Sequence, residues 1–583
     1  MSRRRLGISL STVALAIWVV SLSAATGGGL SLINDRDLKD WLSYIASDEV
    51  EGRAVFTTGI GLAAGYIEDH MRAVGANPAG DAGSYLQTVR VLGVKATSRS
   101  TVTVEIDGET RTFADGQGVT FPRNAGGKRS VAIDRVEFAG YGLDAPGANH
   151  MNFRGKDVKG AAVIWLGTSG PRSLDAQYRR LLTGRNRYAI EDLKAAASIG
   201  AQAPAGGRGG QPPADGAAAS GAPGAGAQGA GAGAQAAGQG RGNQIPAADF
   251  TTVQRLDSLL PPSVTANDAF FEFLFSRAPT KYAELKRIAE AQEPLPSFRL
   301  DGVKLTFNVD ADYEVVRTRL TKNVVAIVEG SDPQLKDTYV VFGAHYDHVG
   351  YAEGEVTPGP NGTRRLGAPG RVTPGAEGDR IWNGADDDGS GIVAVMALAK
   401  AFAQGPRPKR SLLFIWHSGE ESGLWGSRYF ADHPTVPIDR IVAALNIDMV
   451  GRNRDDKSSE ENTVYLVGSD RISTELHEIN RGANEELPRP LTLNYEFNDP
   501  SDLEQLYTRS DHYSYASKGI PVIFFTTGLH PDYHANTDHV SKIEFDKLTR
   551  VVQLAYETGW RVANLDRAPV RDNKGPRAGK ATR

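Results

Sequence analysis

The stretch Asn383-Gly-Ala-Asp-Asp-Asp-Gly-Ser-Gly391 lies directly before an apolar run, 391–404, that predicts a helix. Short apolar runs that predict buried strands occur on both sides of it. Because these runs are apolar throughout, they indicate a sheet that is covered on both faces. The predicted fold class is therefore α/β, with a mixed, mostly parallel central sheet and helices on both faces. The predicted strands are 324–328, 338–342, 412–416, 441–447 and 521–525.

Residue types that bind metals follow these runs in the order His, Asp, Glu, Asp, His. Open α/β sheets usually build their sites just past the ends of the strands. Together the side chains supply two imidazoles, three carboxylates and a spare carboxylate, which is the inventory of a two-zinc hydrolase with a general base. The residues are His345 with Asp347, the acidic run 386–388, the pair Glu420-Glu421, Asp448 and His534.

Each of these motifs also has an ordinary structural interpretation. The two histidines could be surface or loop residues. The run 386–388 could be a solvated helix cap, and Glu420-Glu421 could be part of an ordinary acidic loop. Three adjacent acids repel one another, however, and this repulsion lowers the stability of the fold. A bound cation would remove the repulsion. Adjacent residues that leave a strand point in different directions, so one glutamate can bind metal while the other faces a water. Asp448 ends an apolar strand, where a buried acid without a partner is expensive.

The bulk composition excludes several classes of function. The chain has 583 residues, too many for one compact domain by the usual prior, and a net charge of −4, which does not suggest nucleic-acid binding. It contains no cysteine, so disulfides and thiolate metal sites are excluded and His and carboxylate remain as strong ligands.

The first 25 residues predict an export signal. Arg3-Arg4-Arg5 gives a positive start, 10–22 is largely apolar, and Ser23-Ala24-Ala25 has small residues suited to cleavage. We expect a periplasmic or extracellular protein without stable membrane insertion of the mature chain. An uncleaved membrane anchor is the alternative.

The remaining chain divides by pattern into a catalytic domain, 26–94 with 311–566, and a strand-rich insert at 95–310. Within the insert, 101–106 alternates like a strand and Asp107-Gly108 predicts a hairpin turn. The Ala/Gly-rich segment 202–244 has few side chains able to bury surface, which predicts a disordered insertion. Residues 250–292 are predicted to be helical, especially 267–276 and 282–291, and 567–583 to be a disordered basic tail.

The order and number of motifs carry a family resemblance over 320–560 and the N-terminal helices. The chain resembles the secreted co-catalytic di-zinc aminopeptidases, whose wider family includes glutamate carboxypeptidases and glutaminyl cyclases. The insert resembles, more loosely, a protease-associated domain, at 136–142 and 153–163. The motifs of the main resemblance are Ser47-Asp-Glu-Val-Glu-Gly-Arg53, Ser84-Tyr-Leu-Gln87, Lys322-Asn-Val-Val325, His345-Tyr-Asp347, Gly384 to Gly391, Glu420 to Ser427, Asn446-Ile-Asp448, Ser510-Asp-His512, Gly519-Ile-Pro521 and Tyr533-His534.

The resemblance implies a role for each site residue and a cis peptide bond between Asp387 and Asp388. The chain differs from the family pattern at Asp386, where Asn is frequent in the family. The aspartate adds local negative charge. The implied roles are Asp387 as the carboxylate that bridges two Zn²⁺, Glu421 and His534 as ligands of one zinc, His345 and Asp448 as ligands of the other, Glu420 as general base, Asp347 as partner of His345, and Tyr533 as donor to the oxyanion.

These roles predict a secreted metallo-aminopeptidase that acts on peptides. Two Zn²⁺ and three carboxylate ligands leave one positive charge, which a bridging hydroxide would neutralise, as a partly buried site requires. A dipeptidase or carboxypeptidase of the same family is the nearest alternative, although no Arg or Lys can be assigned to a carboxylate pocket from sequence. A glutaminyl cyclase and a non-catalytic, receptor-like binding protein are further alternatives. The oligomeric state is not predicted.

Overall fold

The computed structural model describes residues 28–202, 247–356, 368–499 and 502–572. The predicted export signal lies outside these residues, as does the Ala/Gly-rich segment apart from Gln202. Among the described residues, no helix combines the length and the apolar character needed to span a bilayer.

The described chain contains helices and strands throughout. The helices are α1 (Asp35–Ile45), α2 (Thr58–Val74), α3 (Arg185–Arg187), α4 (Asp268–Leu274), α5 (Tyr282–Glu290), α6 (Gly391–Gln404), α7 (Trp425–Asp432), α8 (Thr474–Glu485), α9 (His512–Ala516) and α10 (Phe545–Asn564). The strands before residue 310 are β1 (Asn77–Pro78), β2 (Leu86–Ser98), β3 (Thr101–Ile106), β4 (Glu109–Asp115), β5 (Gly118–Thr120), β6 (Arg129–Ile133), β7 (Val136–Ala139), β8 (Asp144–Ala145), β9 (His150–Met151), β10 (Ala162–Trp165), β11 (Ala197–Ala201), β12 (Phe250–Thr252), β13 (Ser263–Ala266), β14 (Ser297–Arg299) and β15 (Val303–Val309). The later strands are β16 (Ala311–Val328), β17 (Tyr339–His345), β18 (Gly350–Tyr351), β19 (Ile381–Trp382), β20 (Ser411–His417), β21 (Ile441–Ile447), β22 (Thr463–Val467), β23 (Thr492–Asn494) and β24 (Val522–Thr526).

The first sheet has the strand order β12-β2-β16-β20-β17-β21-β24-β22-β23. Its four central strands, β20, β17, β21 and β24, run parallel, while β16 and β22 pair antiparallel on either side of them. The predicted mixed α/β class is confirmed, with the parallel pairing concentrated at the centre of the sheet.

Side chains of this sheet alternate between two helical layers, as the period of a strand requires. Val340 and Phe342 of β17 pack with apolar residues of α1, α2, α6, α8 and α10. Val341 between them packs in a separate cluster with Phe430 of α7 and Tyr515 of α9. Helices therefore cover both faces, which accounts for strands that are apolar throughout.

The second sheet is built from strands within the predicted insert, in the order β14-β7-β10-β11-β13-β5-β4-β3-β15-β6. It has its own apolar core, to which α4 and α5 contribute. The chain leaves the first sheet after β2, returns briefly at β12, which pairs with β2, and returns again at β16. The strands β2 and β16 pair antiparallel along most of their length. The domain boundaries themselves remain a prediction.

The prediction of helix across 250–266 is wrong, although α4 and α5 match the predicted helices that follow. Residues 250–252 form β12, and 263–266 form β13, which pairs with β11 and β5. Pro261-Pro262 cannot lie inside a helix, and Ser-Val-Thr-Ala after them completes backbone hydrogen bonds in the sheet. Pairing partners distant in sequence therefore decided the structure here.

Six residues of the predicted basic tail, 567–572, lie against the beginning of α8. Arg567 forms an ion pair with Glu475 at 2.7 Å, and the Val570 N–H donates to the same carboxylate at 2.8 Å. Residues 573–583 lie outside the described residues.

Candidate metal centre

The predicted ligands gather at one edge of the first sheet because the central strands are parallel. His345 is the last residue of β17, Glu420 and Glu421 follow β20, and Asp448 follows β21. Asp387 lies in the turn before α6, and a hydrogen bond from the Asp386 N–H to Asp538 Oδ2 (2.9 Å) holds this turn. His534 lies in the loop after β24.

The two carboxylate oxygens of Asp387 face two different groups of ligand atoms. Its Oδ1 lies 3.3 Å from His345 Nε2, which is 3.8 Å from Asp448 Oδ1. Its Oδ2 lies 3.0 Å from His534 Nε2, which is also 3.0 Å from Glu421 Oε2. Ligand atoms about 2.0–2.1 Å from a tetrahedral zinc are separated by about 3.3 Å. The spacing of both groups is compatible with zinc.

The chemistry of the donor set also fits a bound cation. Asp387 Oδ2 is buried, and although His534 Nε2 lies 3.0 Å away, no contact within the described part of the chain has the geometry of a hydrogen bond to this oxygen. Burial lowers the pKa of His345, but the nearby carboxylates of Asp347, Asp387 and Asp448 outweigh it and hold the pKa well above its usual value. In the same way, Glu421 and Asp387 outweigh burial and raise the pKa of His534 to about 10. Acidic charge is thus in excess, and metal ions would neutralise it.

Asp347 supports the loop that carries the two glutamates. Its Oδ1 accepts hydrogen bonds from the N–H groups of Gly419 (2.7 Å) and Glu420 (3.0 Å). The predicted contact with the second ring nitrogen of His345 is made mainly by the main chain. The carbonyl oxygen of Asp347 lies 3.0 Å from His345 Nδ1, whereas its carboxylate Oδ1 lies 3.8 Å away.

Asp388 and Ser510 hold the remaining ligand segments. Asp388 accepts hydrogen bonds from the N–H groups of His345 (3.1 Å) and Met449 (3.2 Å), and Ser510 Oγ donates to Asp448 Oδ2 (2.6 Å). The peptide bond between Asp387 and Asp388 is cis, as the family resemblance implies.

The two adjacent glutamates differ in their electrostatic surroundings. Burial raises the pKa of Glu420 well above its usual value, and the neighbouring Glu421 adds to this. Burial acts in the same direction on Glu421, but the charge of His534 overcomes it and lowers the pKa of Glu421 to about 2. Opposite shifts in neighbouring acids are typical of a division between a proton carrier and a permanently ionised group.

Tyr533 lies beside the ligands and is held by an arginine that the sequence reasoning missed. Its ring stacks on His534 with centroids 3.9 Å apart, and Arg509 Nη2 donates to its hydroxyl at 3.0 Å. Burial raises the pKa of Tyr533 well above its usual value, so its phenol stays protonated and can donate a hydrogen bond. Arg509 directly precedes the quoted motif Ser510-Asp-His512, and this position was the signal that could have identified it.

Arg53 ends a motif that carried the resemblance but had no assigned role. Its guanidinium is fully buried and donates to the carbonyl oxygens of Ile45 (2.6 Å), Tyr346 (3.1 Å), Asn383 (2.7 Å) and Gly384 (2.9 Å). These carbonyls belong to the end of α1 and to the two segments that carry His345 and Asp387. Arg53 therefore fixes the ligand segments relative to one another.

His348 is a third histidine at the site, also missed from sequence. Its Nδ1 lies 3.0 Å from Glu421 Oε1, the oxygen that does not face His534. Its ring packs against Gly384, whose φ is +57° and where a Cβ would lie 2.6 Å from ring carbons of His348. The side chain is therefore locked in place to donate to Glu421, as residues behind metal ligands commonly do.

Asp386 is engaged by residues behind the ligand groups. Its Oδ2 lies 3.2 Å from His530 Nε2, and its Oδ1 accepts from the Gly451 N–H at 2.7 Å. Burial lowers the pKa of His530, but the contact with Asp386 outweighs it and raises the pKa. His530 is therefore placed where its protonated form would offset the extra negative charge expected from an aspartate at this position.

Several known proteins are similar to this chain. Probable leucine aminopeptidase 2 of Aspergillus oryzae is 29% identical over 164 residues, which are 28% of this chain and 26% of that protein. Leucine aminopeptidase 1 of Trichophyton equinum is 25% identical over 241 residues, 40% of this chain and 55% of that protein. Leupeptin-inactivating enzyme 1 of Streptomyces exfoliatus is 32% identical over 152 residues, 25% of this chain and 30% of that protein. Each alignment covers less than two thirds of the relative's own length.

Among solved structures, the aminopeptidase from Aneurinibacillus sp. strain AM-1 aligns with a TM-score of 0.42 and 17% identity, over 94% of this chain and 99% of that one. BSAP, a zinc aminopeptidase from Bacillus subtilis, aligns with a TM-score of 0.41 and 16% identity, over 93% and 98% of the two chains. Residues 323–558 match the sequence profile of peptidase family M28 and contain every predicted ligand. The predicted resemblance is thereby confirmed, and the part of the chain that is similar to peptidase family M28 is residues 323–558.

Proposed function

We propose that this protein is a zinc-dependent exopeptidase, most consistent with an aminopeptidase that removes N-terminal residues from peptides. The observation that supports it most is the position of Asp387, whose two oxygens face separate His–carboxylate pairs at 3.0 and 3.3 Å. His345 and Asp448 would hold one zinc, Glu421 and His534 the other, and Asp387 would contact both.

Bound zinc would polarise the scissile carbonyl group and lower the pKa of a water. Glu420 takes the proton of the attacking water and passes it to the leaving amine. Burial raises the pKa of Glu420, which makes its carboxylate a better proton acceptor for the first step. Tyr533, held by Arg509, donates its phenolic hydrogen to the carbonyl oxygen as negative charge develops there.

A dipeptidase or carboxypeptidase is the second candidate, and one contact favours it. The Arg509 guanidinium lies beside Tyr533 and so brings a fixed positive charge near the ligand groups. Such a cation could pair with a C-terminal carboxylate, as well as hold the phenol. A non-catalytic binding protein is disfavoured because all five proposed ligands are present.

The test compares release of amino acids from free and N-acetylated peptides, with zinc measured in the same samples. An aminopeptidase requires the free amine, so acetylation should abolish cleavage while C-terminal amidation should not. Cleavage that survives N-acetylation but is abolished by C-terminal amidation would identify the protein as a carboxypeptidase. A zinc-loaded, folded protein that cleaves no peptide would contradict the proposed function.

We also propose export and an inserted domain at 95–310. The second sheet with its separate core supports the insert, and the Arg-rich start with Ser23-Ala24-Ala25 supports export. Secreted mature protein should begin near Thr26. An intact mass that retains Met1 would contradict export with cleavage.

A further inference from the structure

One segment of the insert, residues 176–192, lies against the loop 502–509 of the catalytic region. We call this segment the arm. Leu503 of the loop packs against the apolar core of the second sheet. Arg187 of the arm donates to Gln505 Oε1 at 3.0 Å and to the Thr508 hydroxyl. The loop therefore has partners in the insert immediately before it reaches Arg509.

A continuous series of charge-assisted hydrogen bonds crosses from the arm to Tyr533. Arg180 Nη1 of the arm donates to Glu504 Oε1 at 2.6 Å. Glu504 Oε2, the other oxygen of that carboxylate, accepts from Arg509 Nη1 at 3.3 Å. Arg509 Nη2 then donates to the Tyr533 hydroxyl at 3.0 Å. Glu504 uses different oxygens for Arg180 and Arg509, and Arg509 uses different nitrogens for Glu504 and Tyr533.

We propose that Arg180 is a positioning residue for Tyr533, acting through Glu504 and Arg509, so that the insert takes part in the peptidase reaction. The inference rests on the proposed function, in which Tyr533 donates to the substrate carbonyl. Arg509 is a nearly buried cation whose side chain is 9% exposed, and Glu504 is its counter-ion at 27% exposure. Without Arg180, the Glu504 carboxylate is free to turn toward water, and the orientation of Arg509 is no longer fixed.

An alternative is that Arg180 only attaches the insert to the catalytic region. Isolated ion pairs of this exposure contribute little to stability, so stability alone does not distinguish the two roles. A positioning role predicts that the effect of Arg180 depends on the Tyr533 hydroxyl. A purely structural role predicts the same effect whether that hydroxyl is present or absent.

The experiment is a double-mutant cycle on kcat of the full, zinc-loaded chain, with variants R180A, Y533F and both together. R180A should lower kcat by about tenfold with KM nearly unchanged, since a displaced donor loses transition-state contacts. In the Y533F background the same change should alter kcat by less than about twofold. R180K, which keeps a cation, should recover part of the loss. R179A is the matched control, because Arg179 donates to Ser169 O within the insert.

Zinc content and melting temperature are measured for every variant. Should R180A lose zinc, E504Q replaces it in the same cycle, because it removes the charge with little change of shape. The inference would be overturned if R180A had wild-type kcat, or if the fold-changes in kcat of R180A and Y533F simply multiplied in the double variant. Either result would leave the proposed function intact. Wild-type protein without peptidase activity would instead contradict the proposed function.

Discussion

At the scale of single residues, Glu420 and Glu421 are adjacent but differ in their partners. Glu421 contacts His534 and His348, each at 3.0 Å, whereas burial and the charge of Glu421 raise the pKa of Glu420. The first pattern is typical of a metal ligand held from both sides. The second is typical of a group that exchanges protons.

Substitution of each glutamate by glutamine should separate these roles. E420Q should keep its zinc and lower kcat by about 10²–10⁴-fold, because only proton transfer is lost. E421Q should lose one zinc, because a neutral amide is a poorer ligand than a carboxylate. Zinc analysis and single-peptide kinetics on the same preparations measure both. Wild-type turnover in E420Q, or loss of zinc in E420Q but not in E421Q, would show that the assignment is wrong.

His348 offers a second test at this scale. H348F removes the donor to Glu421 Oε1 and should weaken zinc binding by about 10–100-fold, the usual cost of losing a residue behind a metal ligand. H348N should bind zinc nearly as well as wild type, because an amide N–H can occupy the place of Nδ1–H. Competition with a chelating dye measures both affinities. Equal affinity for H348F and wild type would exclude this role.

At the scale of elements, the existence of the central strands was predictable from sequence, although β17 ends three residues beyond the predicted 342, at His345. β21 and α6 begin and end where the apolar runs do, and a parallel sheet brings the residues that follow its strands together. Arg53, His348 and Arg509 were not predicted, because their roles depend on main-chain or side-chain atoms of distant segments. The same limitation explains the wrong prediction of helix at 250–266, where β12 pairs with β2, and β13 pairs with β11 and β5.

Arg53 joins elements that are far apart in sequence, and its loss should affect all of them. A lysine cannot reach the four carbonyl oxygens that the guanidinium contacts. R53K should therefore lower the free energy of unfolding by about 3 kcal/mol, since hydrogen bonds of charged groups contribute about 1.5–3 kcal/mol each. R72K is the control: Arg72 is 55% exposed and pairs with Glu68 and Asp69 on α2.

Urea unfolding of both variants, with zinc held constant, makes the comparison. The R72K change should stay within about 0.5 kcal/mol, as is usual for surface substitutions. If R53K were as stable as R72K, the account of Arg53 as the link between the ligand segments would fail.

At the scale of the whole molecule, two sheets have separate cores, and the chain passes between them from β2 to β3 and from β15 to β16. The insert also contacts the loop 502–509 through the arm. The site lies within the segment that is similar to peptidase family M28, yet its tyrosine is connected to the insert through Arg509 and Glu504. In our proposal, this connection lets the insert support the site. The central claim remains the two metal ions on either side of Asp387.

Titration of the zinc-free full chain with zinc, with hydrolysis of a peptide bearing a free N-terminus followed at each step, tests that claim most directly. Asp387 faces two ligand groups, so activity should be absent without metal and reach its maximum at two zinc ions per chain. Full activity in the presence of a strong chelator, or a maximum at a single zinc with no second ion bound, would contradict the account.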